Sequence, residues 1–188
     1  MALTVVAIRE DAAPPPADER LRRLSLTLDE LAATVCEHDD GALGRRPDAR
    51  NWSATEIVCH LRDVEELFLM RFMTMLAMDE PKILAFSAAP ADLEAWGIGG
   101  GIGHPLDPDR WAEERQYGRN DPREALAAFA RRRGETLALL ERLGPAEWQR
   151  GGLHPTRGRI TIAEYAVALA AHDANHLAQL HRALVGRA

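Results

Sequence analysis

Two hexapeptides of this chain, WSATEI at 52–57 and ITIAEY at 160–165, fix where two long helices begin. In each, a hydroxyl residue precedes a glutamate by three positions: Ser53 with Glu56, and Thr161 with Glu164. The hydroxyl accepts from the glutamate's backbone N–H, and the carboxylate reaches back to the N–H of the cap. Two donors that a helix start would otherwise leave unpartnered are thereby satisfied. Trp52 with Ile57, and Ile160 with Tyr165, stand where a hydrophobic staple forms. Behind the first box, Ile57, Leu61, Val64, Phe68, Phe72 and Met75 make an apolar stripe that predicts a helix to about Met78, before Pro81. Behind the second, the stripe is Ile162, Tyr165, Leu169, His172, His176 and Leu180.

Two further helices follow from the same periodicity. One begins near Asp18 and carries Leu21, Leu24, Leu28, Leu31 and Val35. The other is capped by Asp121, with Pro122 in its first turn, and turns Leu126, Phe129, Arg133, Leu137 and Leu140 inward. Four long amphipathic helices predict an all-α four-helix bundle over residues 17–188. A long Gly- and Pro-rich loop, residues 80–120, separates the second helix from the third, with Trp96 and Trp111 expected to pin it. Its triple glycine, 99–101, lacks the order of a phosphate-binding loop. Trp148 is expected on a short turn, and GGLHPTRGR, 151–159, as loop. Residues 1–16 end in PPP and read as an N-terminal arm.

Charge and cysteine usage narrow the function. The net charge of −6 argues against a nucleic-acid binder, because phosphate neutralisation needs a basic surface. The basic run Arg131–Arg133 is expected on a solvated helix face. Cys36 and Cys59 are in no CxxC spacing and read as buried free thiols of a reducing compartment, with a disulfide between their two helices as the alternative. The first ten residues are too short to span a bilayer and lack a basic start and a cleavage site. No other stretch approaches a membrane helix, so a cytoplasmic location is expected.

The histidines of the last stripe carry the chemistry. His172 and His176 occupy positions where the pattern asks for apolar residues. Four apart on a helix, they stand about 40° apart around the axis and ~6 Å along it, so both rings reach one point. Burying unpartnered imidazoles is costly, and a divalent metal satisfies them in their neutral form. His60 lies on the apolar side of its own helix. Three histidines from two helices would leave coordination positions open, the catalytic pattern. A hydrogen-bonded core histidine remains the plain alternative for each of them alone. His181 points off this face. His38, His104 and His154 are expected at the solvent, and Cys59 points about 100° away from His60. Asp63 and Asp173 read as solvated or ion-paired surface residues, Asp63 alternatively as a hydrogen-bond partner of an imidazole. A metal here would activate a coordinated water; a metal- or small-molecule-binding protein without turnover is the rival.

The run RPDARNWSATEIVCHLRDVEELFLMRF resembles the second-helix motif of the DinB/YfiT-like family, in which a Trp-Ser cap leads to HL and an acidic residue. HPTRGRITIAEYAVALAAHDANHLAQLHRAL resembles that family's last helix, with its HxxxH. The resemblance implies a four-helix bundle holding a divalent metal, usually Zn or Ni, through His60, His172 and His176. It also implies a small-molecule substrate and a homodimer. The family includes transferases of low-molecular-weight thiols such as bacillithiol, and a mycothiol-dependent isomerase with a carboxylate at the first HxxxH position. This chain keeps histidine there and resembles the three-histidine group, which implies a metal-dependent transferase of a low-molecular-weight thiol, with a metal-dependent hydrolase or isomerase as the alternative.

Overall fold

The computed structural model describes residues 16–84, 90–96 and 106–188. The elements in chain order are α1 (Ala17–Glu37), α2 (Asp40–Gly44), α3 (Ala54–Ala77), α4 (Pro90–Ala95) and α5 (Pro108–Glu114). A 3-10 turn (Tyr117–Arg119), α6 (Pro122–Leu140), α7 (Pro145–Trp148), β1 (Gly151–His154), β2 (Gly158–Thr161) and α8 (Ile162–Leu184) follow. The four long helices α1, α3, α6 and α8 form the bundle. α1 and α3 each pack on both α6 and α8, so α1 and α3 stand at opposite corners.

Both capping boxes close. Ser53 Oγ accepts from the Glu56 N–H at 3.3 Å, and Glu56 Oε2 accepts from the Ser53 N–H at 2.9 Å. Glu56 is also gripped by both Arg46 guanidinium arms. At α8, Thr161 Oγ1 accepts from the Glu164 N–H at 3.2 Å, with the return bond at 2.7 Å. Ser53→Ala is expected to cost about 1 kcal/mol in urea unfolding, the usual worth of such a cap. An unchanged midpoint would mean that Arg46 and Glu56 hold the helix start without the hydroxyl.

The predicted stripes face inward, and the core they build is split in two. Leu31, Val35, Ile57, Val58, Leu61, Phe129 and Leu180 pack with Tyr117 at one end. Leu24, Val64, Phe68, Phe72, Met75, Tyr165 and Leu169 pack at the other. Near the crossover from one cluster to the other, each helix carries polar side chains. These are Thr27 on α1, His60 and Glu65 on α3, Arg133 on α6, and Asp173 and His176 on α8, all buried. A polar layer therefore crosses the middle of the bundle.

Several expectations are corrected. The span between α3 and α6 is not plain loop: it carries α4, α5 and the 3-10 turn, and Trp111 packs on the core. Trp96 lies with its ring 5.6 Å from Lys82 Nζ. Trp148 ends a short helix and is buried. Residues 151–161 form an antiparallel hairpin, with Gly152 opposite Ile160 and His154 opposite Gly158. The chain leaving α3 adds to it: Ile83 N–H donates to Leu153 O and Leu153 N–H to Pro81 O, both at 2.8 Å. A Cβ on Gly152 would stand 2.5 Å from Ile83 Cγ1, so this approach requires glycine. Cys59 is buried as expected, but Cys36 is exposed. Arg131 is exposed, whereas Arg133 in the same run is fully buried. No described helix is long and apolar enough to cross a membrane. Residues 1–15, the triple glycine and His104 lie outside the described residues.

Candidate metal centre

The structure brings His60, His172 and His176 together. Each offers one ring nitrogen, and the three nitrogens lie within 4.8 Å of one another. The ring centroids are 4.4 Å apart for His172–His176, 4.5 Å for His60–His176 and 5.3 Å for His60–His172. His60 Nε2 and His172 Nε2 are 3.2 Å apart. Two ligands on a tetrahedral ion would stand roughly 3.4 Å apart at ordinary metal–nitrogen distances, so this pair is already at ligand spacing.

Burial is graded across the three. His60 is 1% and His176 7% exposed, while the His172 side chain keeps 18% and forms the open edge. Burial, with the neighbouring imidazoles, holds His60 well below the ordinary histidine range. Burial and His172 push His176 down to about 3. Both rings are therefore neutral at pH 7, the form that donates to a metal. His176 Nδ1 is 2.8 Å from Gln179 Oε1; donating its proton there, it leaves Nε2 available. Among the described residues, His60 Nδ1 and His172 Nδ1 are buried without a hydrogen-bond partner. Three crowded, underused nitrogen donors fit a divalent ion. Trp52, from the segment before α3, walls the site: its ring is 5.0 Å from His60 and stacks at 17° and 6.5 Å on His176.

The other described histidines sit elsewhere. His181 is exposed, 3.5 Å from Glu30. His38 is half-buried with Nδ1 on the Thr34 carbonyl oxygen at 2.9 Å. His154, expected at the solvent, is buried on β1, because the hairpin folds back onto α3.

Asp63 and Asp173, expected at the surface, are both buried and ion-paired. Asp63 takes Arg62 at 2.7 Å, Arg115 at 2.5 Å and the Tyr117 hydroxyl at 2.8 Å. Burial alone would raise its pKa, but these donors hold it below the ordinary carboxylate value. It thus ties α3 to the α5–α6 connection and is not bonded to an imidazole. Asp173 sits 3.6 Å from His172 Nδ1 and pairs with Arg133. Trp52, Gln179 and the Arg133 pairing were missed in the sequence. Gln179 carried a signal, three residues after His176 on the same helix.

A helical bundle with three imidazoles converging at mid-depth defines a class: four-helix proteins with a histidine-lined interior site. The chain belongs to the DinB superfamily, which it matches over residues 14–180. In structure it is similar to YfiT from Bacillus subtilis, described as a probable metal-dependent hydrolase with an unusual four-helix bundle topology. That similarity has a TM-score of 0.74 at 23% identity, covering 96% of this chain and 93% of YfiT. The chain is also similar to a mycothiol-dependent maleylpyruvate isomerase, with a TM-score of 0.62 at 11% identity. There it covers 88% of this chain and 61% of the isomerase. No curated protein matches the chain in sequence.

Proposed function

We propose that this chain is a divalent-metal-dependent enzyme acting on a small molecule, with His60, His172 and His176 as its metal ligands. The observation that carries the reading is the convergence of three ring nitrogens within 4.8 Å, two of them from buried histidines. Three protein ligands leave the remaining positions for water or substrate, as in catalytic rather than structural sites. A divalent ion held there supplies Lewis acidity, making a coordinated water or thiol more acidic. The chain's own residues set the rest. Gln179 fixes the His176 tautomer, Trp52 keeps solvent from the inner face, and the exposed edge of His172 is the side from which substrate enters. Imidazole ligation suits Zn, Ni, Cu or Fe, and the family resemblance favours Zn or Ni among them.

Hydrolysis is the reaction favoured, supported by the full-length likeness to a protein described as a probable metal-dependent hydrolase. Transfer or isomerisation with a low-molecular-weight thiol is the second reading, supported by the likeness to the mycothiol-dependent isomerase. The test begins with metal. Untagged protein is expected to carry about one divalent ion per chain, and His176→Ala close to none, by elemental analysis. Equal metal in the two proteins would overturn the ligand set. Metal-loaded protein is then screened against esters and amides, and against electrophiles with added thiol. Turnover that vanishes in His176→Ala and does not need thiol supports hydrolysis.

A further inference from the structure

Directly behind the histidines lies a charged cluster that the metal reading does not use. Arg133 donates through Nη2 to Glu65 Oε2 at 2.6 Å and to Asp173 Oδ2 at 2.7 Å. Through Nη1 it donates to the Leu24 carbonyl at 2.6 Å. All three charged side chains are essentially without solvent contact. One guanidinium is shared between two carboxyl groups in the interior. A carboxylate so close to the rings favours a cation nearby.

The second Asp173 oxygen faces the site. Oδ1 is 3.6 Å from His172 Nδ1, just beyond hydrogen-bond range. That Nδ1 is buried and has no hydrogen-bond partner among the described residues. On the other side of the ring, His172 Nε2 is 3.2 Å from His60 Nε2, a contact in which one of the two nitrogens must carry a proton. Ligation needs both Nε2 lone pairs, so in the ligating form each ring carries its proton on Nδ1. For His176 the acceptor of that proton is Gln179. For His172 it is Asp173 Oδ1, reached by a small rotation of the ring.

We propose that Asp173 is a positioning residue of the metal centre: it accepts a hydrogen bond from His172 Nδ1–H, selects the tautomer that bares Nε2, and, held by Arg133, keeps a negative charge behind the ion. This rests on the metal reading above. Glu65 makes the role separable from folding, because it keeps Arg133 paired when Asp173 is replaced.

The experiment titrates zinc against a competing chromophoric chelator in wild type, Asp173→Leu and Asp173→Asn. Urea unfolding of each metal-free protein runs alongside. Asp173→Leu is expected to bind zinc about 10- to 100-fold more weakly, the range for loss of a partner behind a ligating histidine. Asp173→Asn keeps an acceptor oxygen but not the charge, and falls between. In zinc-loaded wild type the His172 Nδ1–H gives a protected ring resonance, absent in Asp173→Leu. A purely structural role would lower metal-free stability and leave zinc affinity within about twofold of wild type, which overturns the proposal. If Asp173→Leu does not fold, Asp173→Asn decides, and an unchanged affinity there overturns it equally. Wild type that takes no zinc overturns the metal reading and this inference together, whereas failure in the variants alone leaves the metal reading standing.

Discussion

Replacing Arg133 by methionine is expected to destabilise the metal-free protein by about 3–5 kcal/mol, the cost of removing one partner from a buried ion network. Arg133 is fully buried between Phe129 and the two carboxylates, with its guanidinium carbon 4.8 Å from the Phe129 ring. Burial alone would lower its pKa. Asp173 and Glu65 outweigh that and hold it above the ordinary arginine value. Methionine fills much of the stem's volume but leaves Glu65 and Asp173 facing each other without a cation. Their remedy is to take up protons, so the loss should shrink as pH falls. Two companion variants separate charge from packing. Arg133→Lys keeps the charge but cannot fork between two carboxylates and the Leu24 carbonyl, so it should recover only part. Replacing Glu65, Arg133 and Asp173 together by apolar residues should recover much of the loss, since buried ionic clusters contribute little net stability. Urea midpoints and slopes provide the measurement. Arg133→Met within about 1 kcal/mol of wild type would mean the carboxylates are already hydrated, contrary to their burial.

The helices were legible because their signals are local. A capping box needs only six residues, and the stripes of α3 and α8 are set by spacing along one helix. Placing His60 and His172 on those stripes required nothing more, but that the two helices bring their rings to one point was an assumption, supported by the family resemblance and not by spacing. What failed needed a second chain segment. Asp63 reads as surface on its own helical wheel, and it is buried because Arg115 and Tyr117 arrive more than fifty residues later to cover it. The hairpin at 151–161 has too few residues and too many glycines to show a strand pattern. It exists because Pro81 and Ile83 bond to Leu153. Arg133 illustrates the limit best. Its position on the inward stripe of α6 argued for burial, and its neighbours Arg131 and Arg132 argued for solvent. Only the partners on α3 and α8 decide between the two.

Acid should unfold the metal-free protein before its carboxylates titrate. His60 and His176 are held below the histidine value, His176 at about 3, chiefly by burial and by neighbouring imidazoles. His154 is likewise pushed down to about 4, by burial and then by Arg157 and Arg71. In the unfolded chain all three titrate near 6.5. Between that value and their folded pKa values the unfolded state binds more protons than the native state, so stability rises with pH and is lost as pH falls. Each such proton is worth about 1.4 kcal/mol per pH unit. Two or three acting together give roughly 3–4 kcal/mol per unit, against a total stability of about 5–15 kcal/mol. The depressed carboxylates, Glu56, Asp63 and Asp173, obey the same sign but act only around their unfolded values near 4 and below. The window from about pH 6.5 to 4.5 therefore belongs to the histidines. Chelator-treated protein, unfolded by urea at intervals across that window, should lose stability steeply, and a flat profile would refute the buried neutral rings. His154→Phe should remove one proton's share without touching the centre. Added zinc should raise stability at neutral pH by mass action and steepen the acid loss, because an ion that requires neutral imidazoles is released as the rings take up protons.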